Sequence, residues 1–138
     1  MSKLTDRWIE PQDVHTLELC LERDPHHVGT RVEFFYRPGT VCKTYEDDEG
    51  PILFLRGEGL ELPKTKLLRV DVQYVSNEAT ERNRMAMLDG FPSLVEKAKA
   101  NGFTEILFYT NARALSIFCQ RNFGFKEVAK GELRKKLI

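Results

Sequence analysis

Three kinds of side chain in this 138-residue sequence could do chemistry by type and spacing: thiols, imidazoles and clustered carboxylates. The thiols are Cys20, Cys42 and Cys119. Their number is odd and none stands in C-x-x-C spacing. That argues against a disulfide framework or a cysteine zinc site and makes a reducing cytoplasm the expected setting. Cys119 falls on a predicted helix with no histidine placed to activate it as a nucleophile, so it reads as a small buried apolar group. His26 and His27 are adjacent, and neighbours in sequence rarely face one ion. His15 lies on the preceding helix without ligand spacing to them, so exposed loop histidines and no metal are expected. The run Glu46-Asp47-Asp48-Glu49-Gly50-Pro51 lacks EF-hand spacing and a second ligand set, which leaves a solvated hairpin turn.

Composition narrows the classes further. The length is that of one domain, taken as residues 1–138. Lys plus Arg is 21 and Asp plus Glu is 21, so a nucleic-acid partner held by bulk positive charge is not expected. No apolar run approaches the roughly 20 residues of a membrane span. Met1 to Glu10 has no apolar signal-peptide core.

The elements that must position any site follow from periodicity. Arg7 to Glu10 is a short candidate strand. Pro11 opens a helix to about Arg23, with Val14, Leu17 and Leu21 at spacings of three and four, and Asp24-Pro25 ends it. Val32 to Tyr36 fits either a short helix or a strand. Thr40 to Tyr45 and Ile52 to Arg56 read as antiparallel strands around the acidic turn, and Gly57, Gly59 and Pro63 as a further connection. Leu67 to Val75 is the clearest strand, with Val70, Val72 and Tyr74 on one face and Arg69, Asp71 and Gln73 on the other. After Ser76-Asn77 the period changes. Met85, Leu88, Phe91, Val95 and Ala98 mark an amphipathic helix, with a kink or break at Pro92 and an end at Asn101-Gly102. Glu105 to Tyr109 is a strand, and Asn111 is placed to cap a helix from about Ala112 to Asn122. Gly124 ends that helix before two strands, Phe125 to Ala129 and Leu133 to Leu137. Runs of neighbouring strands imply antiparallel pairing, and the passage from Leu67 to Tyr109 implies one parallel crossover. The expected fold class is mixed α/β (α+β): a mostly antiparallel sheet flanked by helices.

This order resembles the GNAT superfamily of acyl-CoA-dependent N-acetyltransferases over nearly the whole chain. Its most specific part is Asn111-Ala112-Arg113-Ala114-Leu115-Ser116-Ile117-Phe118 followed by Phe123-Gly124-Phe125, which is similar to the family's N-x-x-A-x-x-(L/F)-Y helix ending in G-F. The resemblance implies acetyl-CoA as cofactor, lying between the strand that ends near Val75 and the one that starts near Ile106. Backbone groups around Gln73, Tyr74 and Val75 would then hold the pantetheine arm, and Asn111 and Phe118 would contact the cofactor. Aligning Val75 to Ala79 with the family's strand end puts Thr80 to Met85 on its pyrophosphate loop, (Q/R)-x-x-G-x-(G/A). There backbone N–H groups at a helix N-terminus hold the diphosphate.

The departures define what is open. Thr80 stands for Gln or Arg, Asn83 for the first Gly and Met85 for the second Gly or Ala. Asn83 can adopt positive φ, whereas Met85 adds bulk where backbone should meet phosphate. Arg82 and Arg84 either add compensating charge toward the diphosphate or are solvated charges at a helix start. Phe118 stands where many relatives carry a tyrosine that protonates the leaving thiolate, and Tyr109 lies on a strand that would aim it elsewhere. Asp71, on the strand that lines the cleft in relatives, is the candidate general base, or else an exposed strand carboxylate beside Arg69. The implied activity is acetyl transfer from acetyl-CoA to an amine of a small molecule or peptide. The acceptor surface would come from Pro11 to Tyr45, which carries Phe34, Phe35 and Tyr36. The alternative is a GNAT-shaped binding or structural module without catalysis, and a homodimer resting on the apolar final strands is a third reading.

Overall fold

The structure is a computed structural model that describes residues 3–27, 29–76 and 80–137. Met1, Ser2, Val28, Asn77, Glu78, Ala79 and Ile138 lie outside it. With them go part of the N-terminal segment, part of the histidine linker and most of the Val75 to Ala79 strand end.

Local signals account for most of the elements. Strand β1 is Thr5–Trp8. Helix α1, Pro11–Arg23, starts with proline, whose missing N–H costs nothing in the first turn. The Glu10 N–H donates to Asp13 Oδ2 at 2.8 Å, and Asp24 before Pro25 ends the helix. The ambiguous segment after it is a short helix, α2, Glu33–Tyr36. Strands β2, Thr40–Asp47, and β3, Gly50–Glu61, form a longer hairpin than expected. Glu46 and Asp47 are strand residues, and the turn is reduced to Asp48-Glu49 with Gly50 at φ 111°. Gly57 and Gly59 are not a connection but lie within β3. A Cβ at Gly59 would sit 3.2 Å from the Phe103 ring, so glycine there admits an aromatic ring rather than a turn.

Strand β4 is Lys66–Tyr74 and β5 is Glu105–Tyr109, joined through helix α3, Glu81–Ala100. No break occurs at Pro92. Phe91 stacks on Phe123 at 4.1 Å and lies 5.6 Å from Phe125, and this packing offsets the lost hydrogen bond of the proline. Met85 also leaves the predicted apolar stripe and is 43% exposed, while Ala86 and Ala98 are buried. Helix α4, Arg113–Phe123, ends at Gly124 with φ 73°. Strands β6, Lys126–Ala129, and β7, Glu132–Lys136, complete the chain.

The sheet order is β1-β2-β3-β4-β5-β7-β6, with every pair antiparallel except β4 and β5. One apolar cluster joins Val70, Val72, Ile106, Phe108 and Leu133 to residues of α3 and α4. A second joins Cys42 and Phe54 to Leu17 and Leu21 of α1 and to Phe35 of α2. The sheet is therefore covered on both faces. Among the described residues no helix is long and apolar enough to cross a membrane.

Candidate functional site

The site is built by a strand pair that stops pairing early. Parallel pairing of β4 with β5 ends at Val70 with Phe108, yet β4 runs on to Tyr74 while antiparallel pairing with β3 continues. The backbone of Asp71 to Tyr74 thus has a ladder partner on one side only. Beside it opens a cleft of about 1150 Å³, closed at one end by the start of α3 and at the other by α2.

Seven of the predicted site residues come together on this cleft: Asp71, Gln73, Tyr74, Asn83, Arg84, Asn111 and Phe118. Val75, Arg82 and Met85 do not line it. The Val75 N–H donates to Ile52 at 2.9 Å, which continues the β3 ladder. Arg82 donates to Asp47 at 2.6 and 2.9 Å and to the Gly50 carbonyl at 2.8 Å. Its guanidinium ties α3 to the β2–β3 turn, and it holds the Asp47 carboxyl down at about 2. The acidic run is therefore an anchor for a helix rather than a solvated turn.

The expected phosphate loop is the first turn of α3. Thr80 is the N-cap, and its Oγ1 accepts from the Asn83 N–H at 3.0 Å. Asn83 Nδ2 donates to the Ser76 carbonyl at 3.3 Å. Asn83 does not use positive φ, since among the described residues only glycines do. Glu81 and Arg82 precede the first intrahelical hydrogen bond, so their N–H groups remain for an anion. Met85, exposed, adds no bulk there. Arg84 pairs with Glu81 in the same turn, both largely exposed.

On the other side of β4, Arg56 is fully buried. Its Nη1 donates to Asp71 Oδ2 at 3.0 Å, its Nε to the Phe34 carbonyl at 2.7 Å, and it also pairs with Glu58. The Phe34 ring lies 3.9 Å from the Arg56 guanidinium. Arg69 donates to both oxygens of Asp71, at 3.2 and 3.3 Å. Asp71 is thus buried and held by two guanidinium groups, not exposed on the sheet. Arg69 also lies 5.2 Å from Phe34 and 4.9 Å from the Tyr109 ring. Tyr109 is therefore not aimed elsewhere. The parallel register pairs Arg69 with Leu107, which puts Tyr109 on the same face at the mouth of the cleft.

Other expectations change in this frame. Asn111 does not cap α4. The cap is Ala112, whose N–H donates to Thr110 Oγ1 at 3.0 Å. His27 is half-buried and lines the cleft, with Nδ1 3.2 Å from Asp24 Oδ2. Cys119 is buried among apolar groups, which push its thiol up to about 12 and leave it no nucleophile. Arg56, Phe34 and Arg69 carry the wall of the cleft on the α2 side. Only the period-two pattern of β3 and β4 could have flagged the two arginines.

No family model matches the sequence, and no curated protein sequence does. Solved structures do match. An N-acetyltransferase from Staphylococcus aureus covers 99% of this chain and 100% of its own at 13% identity, with a TM-score of 0.71. An acetyltransferase of the GNAT family from Streptococcus pneumoniae covers 97% and 99% at 10% identity, with a TM-score of 0.65. The chain has the GNAT fold. An aminoglycoside acetyltransferase in complex with coenzyme A and kanamycin shares it over 97% of this chain and 95% of its own, at 14% identity and a TM-score of 0.69.

Proposed function

We propose that this protein is an acyl-CoA-dependent N-acyltransferase that moves an acetyl group to a primary amine. The observation that carries this reading is the cleft where β4 outruns its pairing with β5 and meets the free N–H groups at the start of α3. Coenzyme A is bound in one of the solved structures that share the fold. The residues here fit it: the Tyr74 N–H, on the β4 edge that β5 no longer pairs, suits a carbonyl of the pantetheine arm, and the backbone N–H groups of Glu81 and Arg82, with the exposed Arg84 guanidinium beside them, suit the diphosphate. Asn111 and Phe118 line the opposite wall.

Bound acetyl-CoA would supply the acyl thioester. The chain's own residues orient the amine and handle its proton. In the transfer a nitrogen–carbon bond forms, the carbon–sulfur bond breaks, and the proton lost by nitrogen is balanced by one gained at sulfur. Asp71 is the carboxylate on the cleft strand, but taking a proton would cost it an arginine contact. It is better suited to fixing Arg69. His27, with one ring nitrogen on Asp24, lines the cleft and is the group to which we assign the proton. A module without cofactor would be favoured had Met85 blocked the helix start, and it does not.

Titration calorimetry with acetyl-CoA tests the reading. Micromolar binding is expected, weakened several-fold by Arg84→Ala. No heat at millimolar ligand would overturn it.

A further inference from the structure

We infer that Gln73 and Arg69 are the two poles of an acceptor subsite for a small primary amine that carries a carboxylate or phosphate group. The inference rests on the acyltransferase reading above. Gln73 is 1% exposed. Its Nε2 donates to the Tyr74 carbonyl at 2.9 Å, which fixes the orientation of the amide, and its Oε1 has no hydrogen-bond partner among the described residues. Leaving such an acceptor buried and unmet costs about 1–3 kcal/mol. Gln73 lines the cleft. It shares a β4 face with Asp71 and Arg69, the face that meets Phe34 and α2 rather than α3. An N–H from the acceptor side is the missing partner. A neutral primary amine has two N–H groups, so it can give one to Oε1 and keep its lone pair for the thioester.

The second pole follows from the ion pairs. Arg69 is held by Asp71 through Nε and Nη2 and flanked by two rings, and its Nη1 has no partner among the described residues. The acids near it are committed: Asp71 to Arg56 and Arg69, Glu58 to Arg37 and Arg56, Asp24 to His27. Arg31 lines the cleft without an ion pair among the described residues, and the one unpaired carboxylate there is the exposed Glu33. A polycation would find guanidinium groups where it needs acids. The Arg69 guanidinium rests on Asp71, one side-chain repeat from Gln73, a spacing of about 7 Å along the strand. The amine and the anion of the acceptor must therefore lie within a few bonds of each other, as in an amino acid or a phosphorylated amino alcohol.

The test follows thiol release from acetyl-CoA with glutamate, phosphoethanolamine, butylamine, spermidine and kanamycin, alongside acetyl-CoA calorimetry. The parent protein is expected to prefer at least one of the two anionic amines over butylamine by tenfold or more in kcat/KM, with spermidine and kanamycin weaker still. Gln73→Met and Arg69→Met should each raise the KM for that anionic amine at least tenfold while acetyl-CoA affinity stays within twofold. Arg69→Lys should recover part of the loss. Should Gln73→Met fail to fold, Gln73→Glu serves instead: its added charge should shift preference from the anionic amine to butylamine at least tenfold. Preference of the parent for spermidine or kanamycin would overturn the inference. So would the absence of any amine-dependent thiol release from a protein that binds acetyl-CoA, or an equal loss of cofactor and amine affinity in the variants. Failure of the parent to bind acetyl-CoA would instead remove the acyltransferase reading on which the inference stands.

Discussion

Replacing Arg56 with methionine is the sharpest test of how the α2-side wall of the cleft is held. The side chain is fully buried and satisfies three partners: Asp71, Glu58 and the Phe34 carbonyl. Methionine fills much of the volume but leaves all three short of a donor. Breaking a buried ion pair by removing one member costs about 3–5 kcal/mol. Here Asp71 keeps Arg69 and Glu58 keeps Arg37, so the low end applies. The Phe34 carbonyl has no such second donor among the described residues and adds about 1 kcal/mol within that figure. We expect about 3 kcal/mol in all. With about 2.1 cal/mol/K of unfolding entropy per residue, a chain of 138 residues loses about 10 °C in Tm for that amount. Differential scanning calorimetry with urea titration measures it. Arg56→Met with Asp71→Asn should be more stable than the two single losses added together, because the second change neutralises the carboxylate that the first one strands. A drop below about 3 °C in the single variant, or strict additivity in the double one, would refute the argument that this pair carries the wall.

Further outcomes follow from the same contacts. Thr80→Ala removes the oxygen that accepts from the Asn83 N–H and should cost about 1 kcal/mol, read as a fall of roughly 3 °C in Tm. Asp47 has its carboxyl lowered from 3.8 to about 2, first by its hydrogen bonds to Arg82. Its stabilisation is complete above pH 3.8 and is lost as pH falls toward 2, so Asp47→Asn should flatten the decline of Tm across that window. Gly131 has φ 79°, and a Cβ there would sit 3.1 Å from the Thr110 carbonyl oxygen. Gly131→Ala should cost at least about 1–2 kcal/mol, seen as a lower urea midpoint. Once an acceptor is in hand, His27→Asn should lower kcat by about 100-fold with little change in the KM for the amine. Asp71→Asn should instead raise the KM for the amine with less effect on kcat, and the reverse pattern would return the base role to Asp71.

The sequence alone determined the parts of this protein that depend on local chemistry. Period-two alternation placed β4 and its two faces, and period-four spacing placed α1 and most of α3. Pro11, Pro25 and Gly124 marked ends that backbone geometry imposes wherever they occur. The order of elements carried the resemblance to the GNAT superfamily, and the one parallel pair it implied is β4 with β5. The tertiary structure decided what depends on partners distant in sequence. Phe91 meets Phe123 and Phe125 across the core, and so Pro92 sits inside an unbroken helix. Arg82 meets Asp47, 35 residues away, which turns a phosphate candidate into a structural clamp. By its place on β4 Asp71 fits a general base or an exposed strand carboxylate, and Arg56, from the neighbouring strand, buries it in an ion pair. Gly59 read as a turn because its reason, the Phe103 ring, lies far along the chain. Charge partners and close approaches are set by register and packing, which local spacing does not encode.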